Sequence, residues 1–188
     1  MSLLSDSDIL EAIEKQSLKI LPFRREHLGP DSIDICLGRE ILVCNKINRQ
    51  IDSRKKDVEC FEKVAINNEP FVLKTHQFIL ANTEEKISLS NEIAATIEGR
   101  SSIGRLGILV HMTAGIIHAG FGSKEPSTLT LEIYSVNPND LLLHAGMKIA
   151  QLSFFKLNRK ATTGYDFIES SKYIAQKSPE PPKVYLDK

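Results

Sequence analysis

Apolar residues recur along this chain mainly at every second position, in short runs broken by Gly, Pro, Asn and Asp. Ile33, Ile35 and Leu37 alternate with Asp34 and Cys36 up to Gly38, which the pattern reads as a turn before a further strand at 40–44. Comparable runs at 71–73, 78–81, 93–97, 107–111, 129–136 and 148–157 predict more strands. Such a series describes a mainly β protein with a few short helices, built as a barrel, sandwich or jelly roll. One helix opens the chain: Ser5 is a suitable N-cap with Asp8 three residues on, and Ile9, Leu10 and Ile13 form an apolar face. Pro22 limits how far that helix runs. The segment 45–68 is highly charged and reads as a surface excursion. Pro179, Pro181 and Pro182 rule out helix or central strand near the end, leaving an extended arm that either frays or crosses onto a neighbouring subunit.

Composition narrows the class without naming a chemistry. The 188 residues are 41% hydrophobic and 26% charged, an ordinary soluble composition for one domain spanning 1–188. Lys and Arg number 24 and so do Asp and Glu. That balance argues against nucleic acid as a partner, since a basic excess is needed to displace counterions, but it leaves room for a local anion site. No run approaches the length of a membrane-spanning helix, so no membrane partner is expected. The first residues carry Asp6, Asp8, Glu11 and Glu14 where a secretory leader would be basic. Cys36, Cys44 and Cys60 are odd in number and well separated, as expected of reduced, packed thiols in a cytoplasmic protein.

The segment 98–132 carries the chemistry. Gly99-Arg100-Ser101-Ser102-Ile103-Gly104-Arg105 offers forked guanidinium donors and short hydroxyls, an inventory suited to phosphate oxygens, although such a loop is also an ordinary turn. Its spacing is not that of a Walker loop. Glu132 lies in the largely apolar run 129–133, facing either water or a pocket. A carboxylate in a dry pocket holds its proton more tightly and is suited to proton transfer near neutral pH. None of His27, His76, His111, His118 or His144 has Glu two residues on, and no two cysteines lie three apart, so the motifs of zinc-dependent nucleobase deaminases are absent.

Together, 99–105, Thr113-Ala114-Gly115, Ala119-Gly120-Phe121 and Thr130-Leu131-Glu132 resemble the dCTP deaminase family of the trimeric dUTPase-like superfamily. The early stretch 30–38, the late strand 146–154 and the C-terminal Tyr165, Lys172-Tyr173 and Gln176 extend the likeness in order along nearly the whole chain. The resemblance implies a distorted jelly-roll or β-barrel of the dUTPase-like type. It also implies a homotrimer with intersubunit sites, and an arm, 159–188, that closes over the triphosphate. It implies zinc-independent hydrolysis of dCTP to dUTP and ammonia, within pyrimidine deoxynucleotide metabolism. Bifunctional members go on to dUMP and pyrophosphate, and a non-catalytic nucleotide-binding relative is a third possibility.

By the same resemblance Glu132 is the general base that activates water, while Ser101 holds that water or the C4 substituents and Arg105 orients the pair. Thr113 and the backbone around Ala114 would read the cytosine edge, where the small Ala114 side chain leaves space for water. Phe121 would pack beside the sugar, or serve simply as a core aromatic. Arg100, Ser102, Gln151, Tyr165, Lys172 and Gln176 would bind the triphosphate. Mg²⁺ would arrive chelated by the phosphates, with no protein side chain as ligand, and dUTP and dTTP are further nucleotide partners. From Lys156 to Lys188, seven Lys or Arg face four Asp or Glu, a modest excess suited to a lid over a polyanion.

Two features depart from the family pattern. His118 stands where the family usually has an Asp that approaches the deoxyribose 3′-hydroxyl and, in bifunctional members, helps position the phosphate-attacking water. Gly115 and Gly104 resemble the bifunctional branch, yet an imidazole does not copy an acceptor-only carboxylate, so diphosphatase activity is expected to be weak or absent. The connection between His118 and Glu132 is also longer than the family's, through 122–127, and is expected as a surface loop at the site mouth from which Lys124 could reach a phosphate.

Overall fold

The computed structural model describes residues 2–56 and 58–187. Its first helix, α1 (Asp6–Glu14), is fixed by local chemistry. The Ser5 hydroxyl accepts from the Asp8 N–H at 3.3 Å while the Asp8 carboxylate accepts from the Ser5 N–H at 3.0 Å, satisfying donors that a helix start leaves unpaired. Ile9 and Ala12 are buried and Ile13 packs partly against the core. The helix stops well short of Pro22, because Gln16 adopts a left-handed conformation and the Ser17 N–H turns back to the Ala12 carbonyl.

The strands follow in chain order as β1 (Ser2–Leu3), β2 (Leu18–Leu21), β3 (Ile33–Cys44), β4 (Phe61–Ala65), β5 (Phe71–Leu73), β6 (Phe78–Leu89), β7 (Ile93–Gly99), β8 (Ile108–Leu109), β9 (Ile116–Ile117), β10 (Ser127–Ser135), β11 (Leu141–Leu143) and β12 (Lys148–Lys156). A second helix, α2 (Ser101–Arg105), interrupts them after β7. The main sheet has the path β8-β10-β6-β3-β12-β7-β9, with β1, β2 and β4 added at its flanks, and β11 pairs with β5 separately. All these pairings are antiparallel. Register shifts in β10–β6, β12–β3 and β3–β6 increase local twist and curl the sheet into a half-barrel. The core buries Ile35, Leu37, Ile41, Ile79, Ile87, Leu131 and Phe154. The mainly β architecture with few helices that the alternation predicts is what the chain forms.

Gly38 is not a turn. It lies inside the continuous strand β3, at the shift in β3–β6 pairing between Leu37 and Ile41. The Asn82 side chain occupies the space beside it: a Cβ there would fall 2.4 Å from Asn82 Oδ1, which accepts the Glu40 N–H at 3.1 Å. Glycine in this strand marks a close approach rather than a chain reversal. The charged segment 45–68 is likewise only partly an excursion, since β4 pairs with the second half of β3. All three cysteines are free, with Cys36 and Cys60 buried. Burial pushes the Cys36 and Cys44 thiols up to about 11.

The C-terminal segment also differs from the expected fraying or crossing arm. It folds onto its own chain and includes short 3₁₀ turns at Tyr165–Phe167 and Val184–Leu186. The Gln176 N–H donates to Ser127 Oγ at 2.8 Å and its carbonyl accepts from the Thr128 N–H at 3.0 Å, seating the arm along β10. Buried Asp166 accepts from the Gly122 and Lys124 N–H groups at 3.2 and 3.0 Å, so the loop 122–127 is tied to the arm. Gly120, at φ +82, permits this docking, because a Cβ there would come within 2.3 Å of Gly164 Cα. Lys124 lies over the Phe167 ring at 4.9 Å. No helix among the described residues is long and apolar enough to cross a membrane.

Candidate active site

Where the curled sheet brings β6 and β10 towards β7 and β9, a cleft of about 420 Å³ opens beneath the C-terminal arm. Alternation along β10 places Glu132 in it. Leu131 and Ile133 are fully buried in the core, while Thr130 and Glu132 lie on the opposite face and line the cleft. Glu132 is half-buried, and its Oε2 accepts the Met112 N–H at 2.9 Å. Met112 belongs to the loop between β8 and β9, which also brings Ala114 to the cleft. The carboxylate therefore faces a pocket rather than open solvent, with one backbone donor holding it and a small side chain on the same wall.

His118, Phe121, Tyr165 and Gln176 line the same cleft. The His118 and Tyr165 rings stack at 5.8 Å with 12° between their planes, and Tyr165 meets Phe121 at 5.9 Å. Phe121 is both core and wall, being 7% exposed. Lys172 lies in an adjoining cleft of about 640 Å³ that shares His118 and Tyr165, with its amine paired to Asp187. Thr113 is exposed on the β8–β9 loop next to Ala114.

The remaining expected residues sit elsewhere. Arg100, Ser101, Ser102 and Arg105 belong to α2 and its N-cap, and Gln151 to β12; none of them lines the Glu132 cleft of its own chain. Arg100 Nε donates to Asp34 Oδ1 at 2.7 Å, and Lys148 Nζ to Asp34 Oδ2 at 3.1 Å, so one carboxylate anchors two cations. Gln151 is the strand partner of Asp34 on one side and Glu98 on the other. Ser101, Ser102 and Arg105 are exposed. The chain thus carries a carboxylate cleft and, apart from it, a surface rich in arginine and hydroxyl groups.

The cleft also contains residues that sequence patterning did not single out as functional. His111 lines it with Nε2 at 3.6 Å from Glu98 Oε2, while its buried Nδ1 has no hydrogen-bond partner among the described residues. Phe61 reaches the cleft from β4, and Glu180 and Pro182 reach it from the arm beside Tyr173, which the family likeness already included. Nothing local marks Phe61, Glu180 or Pro182, since only the return of β4 and of the arm brings them to β10.

Comparison with known proteins gives one consistent answer. The profile of the dCTP deaminase-like family matches residues 3–157. A Corynebacterium diphtheriae protein named dCTP deaminase, dUMP-forming, is 39% identical over 188 residues, covering 98% of each chain. A Tropheryma whipplei (strain Twist) protein of the same name is 41% identical over 180 residues, covering 94% of this chain and 90% of the relative. Among solved structures, the 2'-deoxycytidine 5'-triphosphate deaminase from Agrobacterium tumefaciens superposes with a TM-score of 0.62 at 22% identity, over 81% of this chain and 47% of that one.

Proposed function

The chain belongs to the dCTP deaminase-like family, and on that premise we propose that it hydrolyses dCTP to ammonia and dUTP and carries dUTP on to dUMP and pyrophosphate. The observation that carries deamination is Glu132, half-buried in the arm-covered cleft with its carboxylate held by the Met112 N–H. The dUMP product is supported by the names of relatives similar over nearly their full length.

In this reading Glu132 takes a proton from the water that attacks C4 of cytosine, and the water oxygen forms the new C–O bond. The same carboxyl group then delivers a proton to the departing amino group, so the C–N bond breaks and ammonia leaves. Such general acid–base work is worth about 10²–10⁴-fold. The backbone around Thr113 and Ala114 reads the base, and Ala114 leaves space for the water. Ser101 and Arg105 hold the water and its developing charge, a preorganised electrostatic role. Because these two lie outside the cleft of their own chain, they act from a neighbouring subunit of a homotrimer. Arg100, Ser102, Gln151, Tyr165, Lys172 and Gln176 bind the triphosphate, and the segment 159–188 closes over it.

The donor inventory fits a nucleotide carried with Mg²⁺. Guanidinium, hydroxyl and amide groups suit phosphate oxygens, and the cleft carboxylates Glu132 and Glu180 join no cluster of three candidate cation ligands among the described residues. When bound with the phosphates, that ion supplies charge neutralisation.

His118 favours a second reading in which the reaction stops at dUTP. The ring is stacked on Tyr165 at the cleft and offers no carboxylate to a phosphate-attacking water. Incubating the protein with dCTP and Mg²⁺, and resolving ammonia, dUTP and dUMP, separates the two. Accumulation of dUMP with pyrophosphate supports the first reading; ammonia with dUTP alone supports the second. Glu132→Gln is expected to abolish ammonia release, and equal release by that variant overturns the assignment of the base.

A further inference from the structure

Outside the cleft, three side chains from separate parts of the fold converge. His27 comes from the short 3₁₀ turn Arg25–His27, Cys36 from β3 and Glu85 from β6. Their imidazole nitrogen, thiol sulfur and carboxylate oxygen lie within 4.8 Å of one another. Cys36 and Glu85 are 2% and 1% exposed, whereas His27 is half-buried and links the group to the surface. None of the three lines the Glu132 cleft.

The surroundings have a charge to balance. Glu85 Oε1 accepts from Arg24 Nη1 at 3.1 Å and its Oε2 accepts the Cys36 N–H at 2.8 Å. Arg24 is shared, because its Nη2 also donates to Glu84 at 2.6 Å. One guanidinium therefore serves two carboxylates, Glu84 at the surface and Glu85 in the interior. Lys148, the strand partner of Cys36, does not supply a second cation: its amine is engaged by Asp34 and the Glu26 carbonyl. A divalent cation bound with loss of the thiol proton adds one net positive charge beside these carboxylates. Nitrogen, sulfur and carboxylate oxygen in one set are ligands for a borderline ion such as Zn²⁺, whereas Mg²⁺ prefers an all-oxygen shell.

We propose that His27, Cys36 and Glu85 form a binding site for a zinc-class divalent cation, stapling the 25–27 turn to β3 and β6 and standing apart from the deamination chemistry. Binding forms a metal–sulfur bond as the Cys36 S–H proton passes to solvent, with no change of oxidation state. The carboxylate keeps its backbone donor and its arginine. In the metal-free state the Glu85 carboxylate keeps Arg24 and the Cys36 N–H as donors.

The test is titration of full-length, reduced, metal-stripped protein with Co²⁺, a spectroscopic stand-in for Zn²⁺. The expected result is a sulfur-to-cobalt charge-transfer band in the near ultraviolet that saturates at one ion per chain. Cys36→Ser abolishes the band, and His27→Ala weakens binding by about 10-fold or more. The Cys44→Ser/Cys60→Ser double variant keeps it. Zn²⁺ should also raise the melting temperature of the unsubstituted chain more than that of His27→Ala. Absence of the band, its survival in Cys36→Ser, its loss in the Cys44/Cys60 double variant, or unchanged affinity in His27→Ala overturns the proposal. Should Cys36→Ser fail to fold, the partly exposed His27 variant decides.

Discussion

Two regions of this molecule hold ionisable groups in opposite ways. Around α2, Arg100 and Lys148 share the carboxylate of Asp34, so each cation there has a partner within the chain. In the cleft, the Glu132 carboxylate has one hydrogen-bond donor among the described residues, the Met112 N–H, and its walls are largely apolar. The first arrangement builds a fixed surface; the second leaves an acceptor free for substrate and water. The difference teaches that the two regions lie on separate surfaces of one chain, and the proposed reaction draws on both.

The largest expected effect comes from mixing subunits. Glu132→Gln and Arg105→Ala should each lower deamination by about 10²–10⁴-fold. When the two inactive variants are unfolded together and reassembled, sites pairing an intact Glu132 with an intact Arg105 should restore a measurable fraction of ammonia release. If no activity returns although mixed oligomers form, the halves do not meet across subunits. A smaller effect is expected at Asp34. Asp34→Ala leaves two cations without their shared partner, which should cost about 1–3 kcal/mol in denaturant unfolding and raise KM for the nucleotide more than it lowers kcat. A kcat loss with unchanged KM would place Asp34 in the chemistry instead.

The smallest effect belongs to α1, which serves neither region. The Ser5 N–H and hydroxyl hold the Asp8 carboxyl below its ordinary 3.8. Its contribution to stability is therefore present above that value and is lost as pH falls through the lower, folded-state value. Asp8→Asn should flatten only this acid limb of the melting-temperature profile and leave deamination at neutral pH unchanged.

Local pattern was legible wherever one strand face is core and the other is not. β5, β7, β10 and β12 lie where alternation predicts them, and the Ser5 cap was readable from its spacing to Asp8. β6 runs on past the predicted 78–81, because Glu85 is buried within it beside Arg24 and Cys36, and a polar letter hides a core position. Gly38 was misread because a glycine accommodating Asn82 looks the same in sequence as a glycine that turns the chain. His111, Phe61 and Glu180 gave no signal as site residues, since each enters the cleft through a contact far along the chain.

Residue chemistry and order were set by the sequence: an acid in an apolar strand, an arginine-serine segment before it, and an arm rich in proline after it. Local forces act over a few residues and are written in spacing, so strands, the cap and the family likeness could be read directly. Tertiary structure alone decided that Glu132 looks into a covered cleft, that the arm returns along β10 of its own chain, and that Arg100 is tied to Asp34 on another surface. Those outcomes depend on how the sheet curls and which distant groups then meet, and side-chain periodicity along a single strand carries no information about either.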